Sequence, residues 1–141
     1  MPDTKIEVKT IDEVLSRINA NDDGEIFLPC IQRDFVWKQE RIYSLLDSLM
    51  RGDPMGVILA WETTRSINYR KFECSHNDND NSEFQVIDGN NSTLKQYILD
   101  GQQRLQSLYI AMHGFYNGNV LYFDLLDSAP LPLLKSPCTD G

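Results

Sequence analysis

Apolar positions recur at helical spacing in three stretches of this chain and gather into short runs between them. In TIDEVLSRIN, Ile11, Val14, Leu15 and Ile18 fall on one face, and Thr10 with Glu13 three residues on makes a capping-box start. KQERIYSLLDSLMRG repeats the pattern through Ile42, Leu45, Leu46 and Leu49, with Gly52 where a helix end is expected. A third helix follows residue 104, with Leu105, Leu108, Tyr109 and Met112 on one face. Between them, EIFLP reads as a short strand stopped at Pro29, and CIQRDFVW as irregular chain. GVILAWE reads as a strand buried on both sides, and INYRKFE as its partner. FQVI is a short strand candidate, DGNNS a turn, LKQYIL a further strand and NVLYFDLL the last one. Residues 74–83, CSHNDNDNSE, are polar enough to predict a flexible loop, and 128–141 a proline-broken tail. The pattern predicts an α+β fold.

Length and composition narrow this to one domain over 1–141, with a core over about 10–125. The apolar fraction of 41% is ordinary for a globular domain. No run is long enough to span a membrane, and no secretory leader pattern is present, so a cytoplasmic protein is expected. Cys30, Cys74 and Cys138 are scattered and the histidines are His76 and His113, which argues against a disulfide framework or a zinc site. The net charge of −8 argues against direct gripping of DNA, which calls for a basic face. It does not exclude a small anion held by backbone amides at a helix start.

Candidate chemistry sits in ILDGQQRLQSLY. If a strand ends at Leu99 and a helix begins near Gln102, then Asp100–Arg104 form the strand-to-helix turn. The amides of Gln102, Gln103 and Arg104 are then donors without helical acceptors. Gly101 leaves room for close approach, Arg104 offers a charged fork, and Asp100 can hold magnesium or orient a water. These are the parts of a nucleotide phosphate site. The alternative is structural: Asp100 caps the helix, the glutamines are solvated and Arg104 pairs with a carboxylate. A second candidate pair, Gln32 and Arg33 in LPCIQRDFVW, has the same chemistry as Gln103 and Arg104 and could converge on the same anion. Phe35 and Trp37 beside it read as core residues under the following helix.

In this order, IQRDFVW…RIYSLLDSLMRGDPMGVILAW and ILDGQQRLQSLY resemble the N-terminal domain of the GmrSD-type, DGQQR-motif proteins of bacterial anti-phage defence, from about residue 10 to 125. The resemblance implies a ParB- and sulfiredoxin-like fold, a small mixed β-sheet with packed helices. It also implies a magnesium-dependent nucleoside triphosphatase that gates a DNA restriction activity. Carried over residue by residue, it gives Asp100, Gln103 and Arg104 catalytic roles, and Gln32, Arg33, Gly101 and Gln102 phosphate-binding ones, with Asp100 as the magnesium ligand. Loss of the Arg104 side chain is then expected to abolish hydrolysis and leave the fold intact. No nuclease signature occurs in the chain, so it is expected to be a piece of a longer protein. DNA would be reached indirectly, through a C-terminal domain or partner subunit; self-association into a homo-oligomer is compatible with this. Two competing readings are a non-catalytic nucleotide-sensing or protein-interaction module and, against the charge, a ParB-like DNA-binding domain.

Overall fold

The computed structural model describes residues 3–19, 25–80, 85–89 and 93–122. Helix α1 (Ile11–Leu15) starts at the expected capping box: Glu13 N donates to Thr10 Oγ1 at 3.2 Å and Thr10 N to Glu13 Oε2 at 2.7 Å. Ile18 lies beyond the helix and bridges Ile26, so of the predicted face Leu15 and Ile18 are buried while Ile11 is exposed. Strand β1 (Ile26–Pro29) is buried at every position because it runs through the middle of a sheet. Helix α2 (Gln39–Met50) buries Ile42 and Leu46. Its end is closed by the Gly52 and Asp53 amides, which return to the Leu49 and Ser48 carbonyls.

Strands β2 (Leu59–Thr63), β3 (Tyr69–Arg70) and β5 (Lys95–Asp100) join β1 in a four-stranded mixed sheet ordered β2-β5-β1-β3. β1 and β5 are parallel, while the β2–β5 and β1–β3 pairs are antiparallel. Alternation along β1 and β5 gives the sheet two apolar faces. Ile26, Leu28 and Ile98 meet Leu15, Ile42, Leu46 and the buried side of helix α3 (Gln102–His113). Phe27, Tyr69 and Tyr97 make an aromatic layer opposite, with Lys95 Nζ 4.9 Å from the Tyr69 ring centroid. The expected α+β class with a small mixed sheet and packed helices is the observed one.

Several strand expectations fail for one reason, the order of strands in the sheet. GVILAWE is an exposed edge, with Leu59 53% and Trp61 43% accessible, and not a strand buried on both sides. A continuous apolar run cannot tell an edge strand from a central one. INYRKFE does not pair with that strand; only Tyr69–Arg70 is extended, and it pairs with β1 at the opposite edge. Residues 64–68 must therefore cross the sheet. Three interstrand gaps of about 4.8 Å make about 14 Å, which five extended residues at about 3.3 Å each can span. Ile67, on this crossing, packs on the aromatic layer.

Of FQVI, Ile87 makes a single bridge to Tyr69, and Phe84 lies outside the described residues, as does most of DGNNS. NVLYFDLL is not the last strand among the described residues. That is β6 (Phe115–Tyr116), Asn119 making only a bridge to Tyr116, and 123–126 lie outside the described residues. The tail at 128–141 lies outside them too.

The polar segment expected to be a flexible loop is in part tied down. Strand β4 (Ser75–His76) pairs in parallel with β6, and Asp78 gathers three donors: Asn117 Nδ2 at 3.0 Å, Lys38 Nζ at 3.0 Å and Tyr116 Oη at 2.8 Å. Residues 81–83 of that segment lie outside the described residues. The hydrogen bonds from Asn117, Lys38 and Tyr116 hold the Asp78 carboxyl far below its ordinary range, while burial and Asp78 push the Tyr116 hydroxyl up. A depressed carboxylate stabilises the fold above its unfolded pKa, near 3.8, and that contribution is lost as pH falls further. Below about pH 4 the unfolding midpoint should therefore drop, and Asp78→Asn should flatten that drop while removing about 1 kcal/mol at pH 7. Equal pH slopes for the two proteins in urea titrations would detach Asp78 from the effect.

Candidate functional site

Strand β5 delivers the chain to the start of α3 through Asp100 and Gly101. Gly101 is the residue that caps the helix, with φ +84°, and no side chain caps the first turn. The positive φ calls for glycine, and a Cβ at this position would also displace the Ile58 Cδ1 methyl. Asp100 does not cap the helix: its Oδ1 accepts only from the next amide, Gly101 N, at 2.8 Å. The amides of Gln102, Gln103 and Arg104 thus begin a helix of 12 residues with no helical acceptors behind them.

In front of them lies a cavity of about 260 Å³ lined by Gln32, Arg33, Trp37, Arg41 and Leu99 together with Asp100–Arg104. The two sequence motifs, separated by some 70 positions in the chain, therefore share one cavity. The parallel β1–β5 pair brings them together, because both strands end on the same side of the sheet. The lining carries three guanidiniums and one carboxylate in a chain of net charge −8. Arg33 and Arg41 are exposed, and neither has a carboxylate partner among the described residues.

Several polar residues of the motifs hold the two segments together. Gln103 is 6% accessible; its Oε1 accepts from Val36 N at 2.9 Å and its Nε2 donates to Asp34 O at 2.9 Å. Gln102 Nε2 donates to Arg33 O at 2.6 Å, and Gln32 Nε2 to Leu99 O at 3.0 Å. The glutamines of the DGQQR segment are thus buried and not solvated. Among the described residues Arg104 pairs with no carboxylate. Its Nη1 donates to Met55 O at 2.7 Å and its Nη2 to Val57 O at 2.9 Å, so the side chain also ties down the segment ahead of β2. Phe35 is buried core as expected, while Trp37 packs on the core and also faces the cavity.

Sequence reasoning overlooked two residues. Arg41 follows Trp37 by four positions, but Trp37 precedes the N-cap Lys38, so the spacing pointed only weakly to their contact. Arg70 left no comparable trace. Buried on β3, it donates to Asp34 Oδ1 at 2.8 Å and to the Gln32 and Arg33 carbonyls at 2.9 and 3.1 Å, which fixes the loop that carries Arg33.

Among the described residues no group of three or more His, Cys, Asp or Glu side chains could hold a metal ion. The donor set at the cavity nevertheless fits magnesium carried by phosphates. That ion is commonly held by one or two carboxylates plus phosphate oxygens and waters. Asp100, whose Oδ2 makes no hydrogen bond among the described residues, is the one carboxylate that lines the cavity. No helix among the described residues is long and apolar enough to cross a membrane.

A family model described as GmrSD restriction endonuclease, N-terminal domain, matches residues 11–130. No curated protein matches the chain.

Proposed function

Given that the chain belongs to the GmrSD restriction endonuclease N-terminal domain family, we propose that its cavity binds and hydrolyses a nucleoside triphosphate to gate the DNA-directed activity of the system it serves. Membership of the family makes it a component of a restriction, or defence, system. The observation that carries the nucleotide reading is the lining itself. An uncapped helix start and three arginines converge on about 260 Å³ in an otherwise acidic chain. Such a site suits a polyanion.

The Gly101–Arg104 turn offers its amides to phosphate oxygens, and Arg33 offers an unpaired guanidinium to the charge that builds on the transferred phosphoryl group. Arg104 keeps the donors that its two carbonyl bonds leave over. Magnesium, held by Asp100, would neutralise phosphate charge. In hydrolysis a water oxygen bonds to the terminal phosphorus as the bridging P–O bond breaks, leaving nucleoside diphosphate and inorganic phosphate. Gln32 is better placed than Gln103 to orient that water. Its Oε1 has no hydrogen-bond partner among the described residues, while Gln103 is engaged at both ends of its amide.

Arg33→Ala provides the test, since no hydrogen bond from this side chain holds the fold among the described residues. Calorimetric titration with nucleoside triphosphate and magnesium should show saturable binding weakened about tenfold or more in the variant, the expected loss for a charge-assisted hydrogen bond. Equal affinity in the two proteins would remove Arg33 from the site. A second reading, a sensor that binds without turnover, is favoured by the commitment of Gln103 and Arg104 to backbone groups. Saturable binding with no release of inorganic phosphate would select it.

A further inference from the structure

Beyond the two Gln-Arg pairs, we infer that Arg41 is an additional anion-binding arginine of this cavity, held ready for phosphate by the ring of Trp37. The inference rests on the phosphate reading of the cavity and adds a residue to it. The Arg41 guanidinium carbon lies 5.3 Å from the Trp37 ring centroid, and both residues line the cavity. An aromatic face attracts a guanidinium through its quadrupole, by about 0.5–1 kcal/mol at an exposed site. That attraction orients the cation but leaves its N–H donors, which lie in the guanidinium plane, unoccupied. A carboxylate partner would both neutralise the charge and occupy those donors. Arg17, Arg51 and Arg70 have such partners in Glu25, Asp47 and Asp34. Arg41 has none among the described residues.

Its position strengthens the case. Arg41 sits in the first turn of α2, where the partial positive charge of the helix end disfavours a cation. An anion in the cavity offsets that penalty, because it would face the start of α3 and three guanidiniums at once. The Lys38–Asp78 and Tyr116–Asp78 hydrogen bonds anchor this end of the helix, and Tyr116 Oη lies 3.3 Å from Trp37 O. Trp37 is therefore a positioning residue and Arg41 the binding group.

The chain has two tryptophans, and Trp61 lies on edge strand β2 away from the cavity lining, so Trp61→Phe leaves Trp37 as the reporting indole. Inorganic tripolyphosphate with magnesium is the probe, titrated by calorimetry and by indole emission beside a nucleoside triphosphate. The expected result is saturable binding with a change in Trp37 emission as the guanidinium leaves the ring. Arg41→Ala and Arg41→Gln should each weaken binding about tenfold and lose the emission change, with Arg41→Lys recovering part of the affinity. Unchanged affinity for tripolyphosphate in both folded neutral variants, with Arg33→Ala impaired, would overturn the role of Arg41 and leave the phosphate site standing. Failure of the folded parent to bind either ligand would overturn the phosphate reading, and the inference with it.

Discussion

Gln103→Leu should lower the free energy of unfolding by about 2 kcal/mol and abolish polyphosphate binding together. The side chain is 6% accessible and both ends of its amide are engaged, with Val36 N at 2.9 Å and with Asp34 O at 2.9 Å. Leucine has similar bulk, so the core stays filled, but it leaves one donor and one acceptor without partners. Each such group costs about 1–3 kcal/mol when buried, and the lower end applies here because Asp34 and Val36 lie on an exposed loop. The loop carrying Arg33 is then held by Gln102 and Arg70 alone among the side chains that clasp its 33–34 carbonyls. Urea titrations would show a lower midpoint at unchanged slope. Gln103→Glu separates the two bonds, since a carboxylate still accepts from Val36 N but faces the Asp34 carbonyl with a repelling oxygen. It should be no better tolerated than leucine. A leucine variant as stable as the parent would mean that the clasp does not hold the loop.

Gly101→Ala is the second large effect, expected at about 2–3 kcal/mol. Most of it, about 1–2 kcal/mol, comes from placing an L side chain at φ +84°, and a smaller share from pushing aside the Ile58 Cδ1 methyl. The same Cβ would lie 3.2 Å from Arg104 Nη2, so the guanidinium must shift as well. Polyphosphate affinity should fall with stability because the first amides of α3 move. Ile58→Ala supplies the control: it opens the space the new methyl needs, so the double variant should be more stable than the sum of the single effects. Strict additivity would show that the collision contributes nothing and that backbone conformation carries the whole cost.

How far these residues could be foreseen depends on the range of the interactions that define them. The capping box at Thr10 and Glu13, the stripe of α2 and the glycine at the start of α3 are local patterns, each decided within about one helical turn. Residues 100–104 stood out as a site because Asp-Gly-Gln-Gln-Arg is an unusual way to join a strand to a helix. What those side chains do was not legible. Gln102 and Gln103 look solvated on a helix considered alone, and they become buried only because the loop at 33–36 passes over them. The exposure of β2 was hidden for the same reason: Leu59 and Trp61 share an apolar run with Ile58, and only the strand order makes it an edge.

By itself, then, the sequence determined the α+β class, the three helices, the family and, to within a residue at each end, the strand expected at 94–99 and found at Lys95–Asp100, because periodicity, capping and motif order are short-range signals. The tertiary structure alone decided three further things. It set the parallel pairing of β1 with β5 that brings Gln32 and Arg33 to the Asp100–Arg104 turn. It gave Gln103, Arg70 and Arg104 their holding roles on backbone groups. It put Arg41 on Trp37 at the cavity edge. These depend on contacts across tens of residues, and a donor or a charge takes its role from the group that faces it in space.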